Sequence, residues 1–141
     1  MNSLSFDVKN IEDDIELLEK AKIDILMLID FPVWNRLTTA MENICKYYMA
    51  FIRSENELNM LEDMGDNKKE KDIRRFELTM DMDNIKKEIK PYLKDRDEIL
   101  KDISEEKRKE LQDIYLKISE LELRKKQLMQ LINMEYESND S

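Results

Sequence analysis

Histidine is absent from this 141-residue chain, and cysteine, glycine and tryptophan each occur only once. Without histidine the chain lacks the one side chain whose ordinary titration falls near neutral pH, and with it the commonest metal ligand. The helical di-iron pattern Glu-x-x-His is excluded on the same ground. A lone cysteine, Cys45, cannot close an intramolecular disulfide, which fits a reducing compartment. Cys45 lies on an apolar helical stripe with no histidine to activate it, so it reads as a packed residue rather than a nucleophile. One glycine (Gly65) and two prolines (Pro32 and Pro91) leave almost no material for the tight turns of β-hairpins. Glycine-rich phosphate loops cannot be built at all. A calcium loop fails too, because Asp81-Met82-Asp83-Asn84 puts Ile85 where a third ligand belongs. No catalytic, metal, cofactor or small-molecule site is expected, and the chain reads as a non-enzyme.

Long apolar runs and basic blocks are missing as well. The densest apolar stretch, from Ile23 to Phe31, is interrupted by Asp24 and Asp30 and is far too short to span a bilayer. The opening MNSLSFDVKNIEDD shows no basic segment followed by an apolar one, so no signal peptide is expected. An intracellular location, cytoplasmic or nuclear, follows as the expectation. The net charge is −9, and nucleic acid and anionic membrane, both of which ask for clustered positive charge, are poor partners. The imbalance is uneven. Residues 1–65 carry 6 basic and 13 acidic side chains, a net −7, against 18 and 20, a net −2, for residues 66–141.

What the chain has in abundance is charge, at 40% of residues against roughly 25% in ordinary globular domains. That excess, with so little glycine and proline, points to an all-α fold with long solvated helix faces. Leu4, Val8, Ile11, Ile15, Leu18, Ile25 and Ile29 follow alternating steps of four and three and define a first helix, with Lys22 the one polar residue at that spacing. Asp30-Phe31-Pro32 ends it, because the residue before a proline leaves helical geometry while proline suits the first turn of the next helix. A second helix carries Trp34, Leu37, Met41, Ile44, Tyr48, Phe51 and Leu58, and stops near Gly65, where a left-handed cap is cheap. The aromatic group Trp34, Tyr47, Tyr48 and Phe51 reads as core in preference to a binding hot spot. The first two helices are expected to pair as an antiparallel hairpin, a head over residues 4–64.

From about residue 68 a heptad-spaced stripe runs through Leu78, Met82, Ile85, Ile89 and Tyr92 and on to Ile132. It keeps phase across Pro91, which favours a kinked but continuous helix and hence a coiled-coil arm over 68–137, with a disordered tail at 138–141. An eight-residue step between Ile103 and Leu111 reads as a stutter in the supercoil, although Ser104 followed by Glu105 and Glu106 also has the form of a helix start. About 70 helical residues reach roughly 105 Å, far more than a 30-residue head helix covers, so the arm seam asks for another chain. Its candidate interface residues are Ile99, Ile103, Leu111, Ile114, Ile118, Leu121, Leu128 and Ile132. Arg96 and Lys125 fall at seam positions where a parallel homodimer would set like charges face to face. They therefore read as specificity devices for a heteromeric or antiparallel partner.

On the outer face, acids precede bases by four residues in Asp83/Lys87, Asp97/Lys101, Glu105/Lys109, Glu120/Arg124 and Glu122/Lys126, each pair worth about 0.2–0.5 kcal/mol. The function these features imply is a non-catalytic scaffold, pairing with other helical subunits in an assembly of the kinetochore, Mediator or vesicle-tethering kind. The rival is a self-contained four-helix bundle, broken at Pro91 or Ser104, serving as an adaptor or small chaperone that holds a client in an apolar groove. A self-associating coiled coil ranks third.

Overall fold

The computed structural model describes residues 3–63, 65 and 67–139, with side chains through 136. Among these residues there are four α-helices and no strand: α1 (Ser3–Leu26), α2 (Trp34–Leu61), α3 (Lys68–Ile99) and α4 (Glu105–Asn139). The all-α expectation holds at that level. Positions 138 and 139 fall within the span of α4, while 140 and 141 lie outside the described residues.

Each helix boundary has a local chemical cause. The end of α1 tightens into bonds that skip three residues, Leu28 N–H to Ile25 C=O at 3.0 Å and Ile29 N–H to Leu26 C=O at 2.9 Å. A short 3-10 turn, Phe31–Val33, carries Pro32 and leads into α2. The indole N–H of Trp34 donates to the Ile29 carbonyl at 2.9 Å, and its ring lies 5.1 Å from that of Phe31, which pins the corner. Gly65 takes a φ of +48°, the left-handed geometry expected of the only glycine in the chain. Asn67 then caps α3 by accepting from the Glu70 N–H at 3.3 Å.

Pro91 lies inside α3, but the arm is not one helix. The chain leaves helical geometry at residues 100–104 and restarts at Glu105, with the Ser104 hydroxyl accepting from the Lys107 N–H at 3.3 Å and two acids in the first turn. The eight-residue step between Ile103 and Leu111 therefore marks a break between helices.

That break decides the packing. The chain divides into two compact units, one made of residues 1–34 with 102–141 and the other of residues 35–101. In the first, α1 lies antiparallel on α4 around a core of Val8, Ile11 and Leu128, extended by Leu4, Ile15, Leu121 and Ile132. In the second, α2 and α3 run antiparallel, as the contacts Tyr47–Tyr92 and Glu57–Arg74 require. The helices of the expected head hairpin thus belong to different units, and the boundary expected at 64–68 falls inside the second one. A seam of about 105 Å needs another chain only where the helix is one continuous rod. Once the rod is cut at 100–104, α4 with 35 residues is largely matched by α1 with 24, and α3 with 32 by α2 with 28.

Candidate interaction surface

Part of the seam assigned to a partner chain, Leu121, Leu128 and Ile132, packs on α1. Leu111, at 0% exposure, and Ile114, Ile118 and Leu128 are buried, and Leu121 and Ile132 are half-buried against the same helix. Ile99, at the end of α3, and Ile103, in the break, are also half-buried. The backbone carbonyl of Ile103 accepts from the Arg108 guanidinium at 3.0 Å.

The basic seam residues have acidic neighbours within the chain. Lys125 lies 3.3 Å from Glu12 of α1, so the acid expected from a foreign partner is supplied by the protein itself. Lys22 follows the same pattern on α1: its ammonium pairs with Glu19 and sits 5.2 Å from the Tyr115 ring centroid on α4. Arg96 is half-buried and bonded to its neighbour Asp97 at 3.0 Å. None of the three is left as a bare charge in an apolar seam, which removes the reason for requiring a second chain there.

In the other unit, Leu37 and Met41 are fully shielded and Ala40, Ile44 and Cys45 are buried beside them. The aromatic group expected as core is not buried: Tyr47 and Phe51 are half-buried toward α3, Tyr47 at 6.1 Å from Tyr92 and Phe51 under the Lys86 ammonium at 5.7 Å, while Trp34 is half-buried at the proline corner and Tyr48 is exposed. Charged clamps close the edges. Arg74 grips both carboxylate oxygens of Glu57 at 2.8 and 2.9 Å and reaches Glu77 at 2.9 Å. The guanidinium holds the Glu57 carboxyl below the usual carboxylate range, and the acids raise Arg74 in turn. Arg36 bonds Asp95 at 2.7 Å and Glu98 at 3.2 Å and is raised by them. Desolvation, followed by the charge of Glu88, pushes the Tyr47 phenol up.

Sequence reasoning missed the outward apolar faces. On α3, Ile73, Phe76 and Met80 recur at steps of three and four and point roughly 165° away from Leu78, the buried residue of that helix. Phe76 is 66% exposed where Leu78 is 1%. On α4, Leu123 at 38% and Met134 at 64% lie opposite the seam held by α1. The signal was the same helical periodicity that drew the main stripes, masked by their greater length. The five acid-before-base pairs expected at four-residue spacing do not form ion pairs among the described residues; Asp72–Arg75 and Lys107–Glu110, at a spacing of three, do.

Among the described residues no three His, Cys, Asp or Glu side chains converge as a metal site, and no buried side-chain nitrogen or oxygen lacks a hydrogen-bond partner. No described helix is long and apolar enough to cross a membrane. Comparison with protein-family models, with curated proteins and with solved structures finds no match.

Proposed function

We propose that the chain is a non-catalytic interaction subunit, a helical scaffold that assembles with other helical proteins in a multi-subunit complex. The observation that supports this most is the outward stripe of Ile73, Phe76 and Met80 on α3. A helix face that meets only water has no use for three large apolar side chains in register, and 40% of this chain is charged residues able to stand there. Helical partners suit the stripe, because apolar side chains in register along one convex helix face are what a second helix packs against. Its inner seams being covered within the chain, the protein assembles through outer faces instead.

That same internal cover supports a second reading, a self-contained four-helix adaptor or small chaperone whose outer faces meet varied clients. The two readings differ in the partner: a fixed subunit recovered in defined ratio, or a changing set.

The test is the double substitution Ile73→Glu with Phe76→Lys, purified with its companions from the native source. Both positions are exposed, so helicity and melting should stay within about 0.5 kcal/mol of the parent. A defined set of companions should be lost. Recovery of the same companions at the same ratio would remove the α3 face from the account.

A further inference from the structure

The outward stripe of α3 ends in positive charge. At about 100° per residue, Lys69, Ile73, Phe76, Met80, Lys87 and Lys94 fall within one arc of about 60° opposite Leu78, and all six are exposed. Pro91 and Glu98 complete the arc between 69 and 98, and Glu98 is bonded to Arg36 at 3.2 Å. Lys69, Lys87 and Lys94 have no ion pair, hydrogen bond or ring contact among the described residues, whereas Arg74, Arg75 and Arg96 of the same helix each bond a carboxylate. The apolar stripe is thus flanked along its own line by unneutralised cations, in a chain whose net charge is −9.

We propose that this face docks an acidic amphipathic helix of another protein, with apolar side chains seated on Ile73, Phe76 and Met80 and carboxylates reaching Lys69 at one end and Lys87 and Lys94 at the other. The proposal rests on the reading of the protein as an interaction subunit and gives the chemistry of its partner. At 1.5 Å per residue, Lys69 stands about 6 Å before Ile73, Lys87 about 10 Å beyond Met80, and Lys94 about 10 Å farther on. A partner helix of about 25 residues, apolar in its middle and acidic toward both ends, spans the arc. Its carboxylates displace none from this chain, because the three ammonium groups hold none.

Charge and width select this partner over other anions. About a quarter turn round from the arc, one edge of α3 carries Glu70, Glu77, Asp81 and Glu88, all exposed. A nucleic-acid duplex or an anionic bilayer is broader than a helix and sets its negative charge against that acidic edge as well as against the lysines. A helix packed at about 8–10 Å between axes touches the arc and little else. Phosphates also give Phe76, at 66% exposure, nothing apolar to pack on. An apolar helix without acids leaves the three lysines unmatched, and a basic one is repelled by them. Only an acidic amphipathic helix answers both the stripe and its ends.

The experiment is a fluorescence-anisotropy titration of the full chain against labelled helical peptides of about 25 residues, built on one scaffold with a central leucine stripe and end turns of Glu, Lys or Gln. The Glu peptide should bind about tenfold or more tightly than the Lys peptide, by a margin that shrinks with added salt. Lys69→Glu with Lys87→Glu and Lys94→Glu should reverse that order. The same reversal at Lys109, Lys117 and Lys126, exposed on α4, should leave the order standing. Ile73→Glu with Phe76→Lys should weaken the Glu peptide about tenfold or more with circular dichroism unchanged. Duplex DNA and phosphatidylserine vesicles are titrated beside the peptides. The proposal is overturned by peptides bound equally or not at all, by an order indifferent to the three α3 lysines, or by DNA or vesicles held through those lysines more tightly than the Glu peptide. Each of these results strikes the acidic partner alone, because the broader reading stands or falls with the native companions lost on Ile73→Glu with Phe76→Lys.

Discussion

The two helix pairs are made of similar helices closed over very different lengths of chain. α2 and α3 are joined by residues 62–67 alone, whereas α1 and α4 meet only after the whole stretch 27–104 has intervened. The short connection makes the α2–α3 pairing nearly obligatory once both helices exist, because little loop entropy is lost. The α1–α4 pairing has no such help. It rests on its seam, on Lys125 meeting Glu12, and on Lys22 meeting Tyr115. Periodicity marks which face of a helix is buried; chain breaks decide what buries it.

The largest effects should come from deleting core on each side. Leu111→Ala and Leu78→Ala each remove a side chain that is at most 1% exposed, and each should lose about 2–5 kcal/mol. Hydrogen exchange should place the loss from Leu111→Ala first in α1 and α4, and that from Leu78→Ala in α2 and α3. Unchanged protection in α1 on removal of Leu111 would break the pairing on which the comparison stands.

Lengthening the turn sharpens the contrast. Six Gly/Ser residues inserted after residue 65 double the connection between α2 and α3 and should destabilise that pair by about 0.6 kcal/mol. The same insertion is a small fraction of the stretch between α1 and α4, so protection in those helices should hardly move. Equal losses in both units would mean that they do not open separately.

Smaller still is the ion pair. Lys125 and Glu12 are 37% and 52% exposed, and removing the charge with Lys125→Met should change stability by less than about 1 kcal/mol, with less salt dependence than the parent. A loss of several kcal/mol in thermal unfolding would show that Lys125 acts as more than an edge charge in this seam.

The smallest effect is one of pH. The carboxyl of Glu57, depressed by Arg74, contributes stability that is fully present above the ordinary carboxylate range and is lost as pH falls through its own lower value. Acid titration of the parent against Glu57→Gln, followed by exchange in α2 and α3, should show a shallower acid limb in the variant. Identical limbs would remove the Arg74 clamp from the account.

Much of the local structure was legible in the sequence. The stripe of α1, the proline corner, the left-handed Gly65 and the form of a helix start at Ser104 are each set within a few residues, where spacing and capping chemistry suffice. The tertiary assignment was not. Ile114, Ile118 and Leu128 lie on a face whose periodicity marks it as apolar, but a stripe that keeps phase across Pro91 and takes one eight-residue step between Ile103 and Leu111 does not tell a continuous rod from two helices. A seam records only that something apolar lies opposite, and α1, more than 80 residues away in sequence, carries the same spacing as any partner would. The outward faces of α3 and α4 were hidden for a related reason, since shorter or more polar stripes yield to longer ones in any reading by hydrophobicity.

The central claim, that α1 of the same chain covers the α4 seam, is tested most directly by cross-linking. Glu12→Cys and Lys125→Cys in a Cys45→Ser chain place two thiols where the ion pair stands, within reach of a short bis-maleimide. An equal mixture of nitrogen-15-labelled and unlabelled chains should give the 12–125 cross-link with both peptides from one isotope, at a yield independent of concentration. Mixed-isotope cross-links that grow with concentration, or no 12–125 link at all, would return the seam to a second chain and contradict the account.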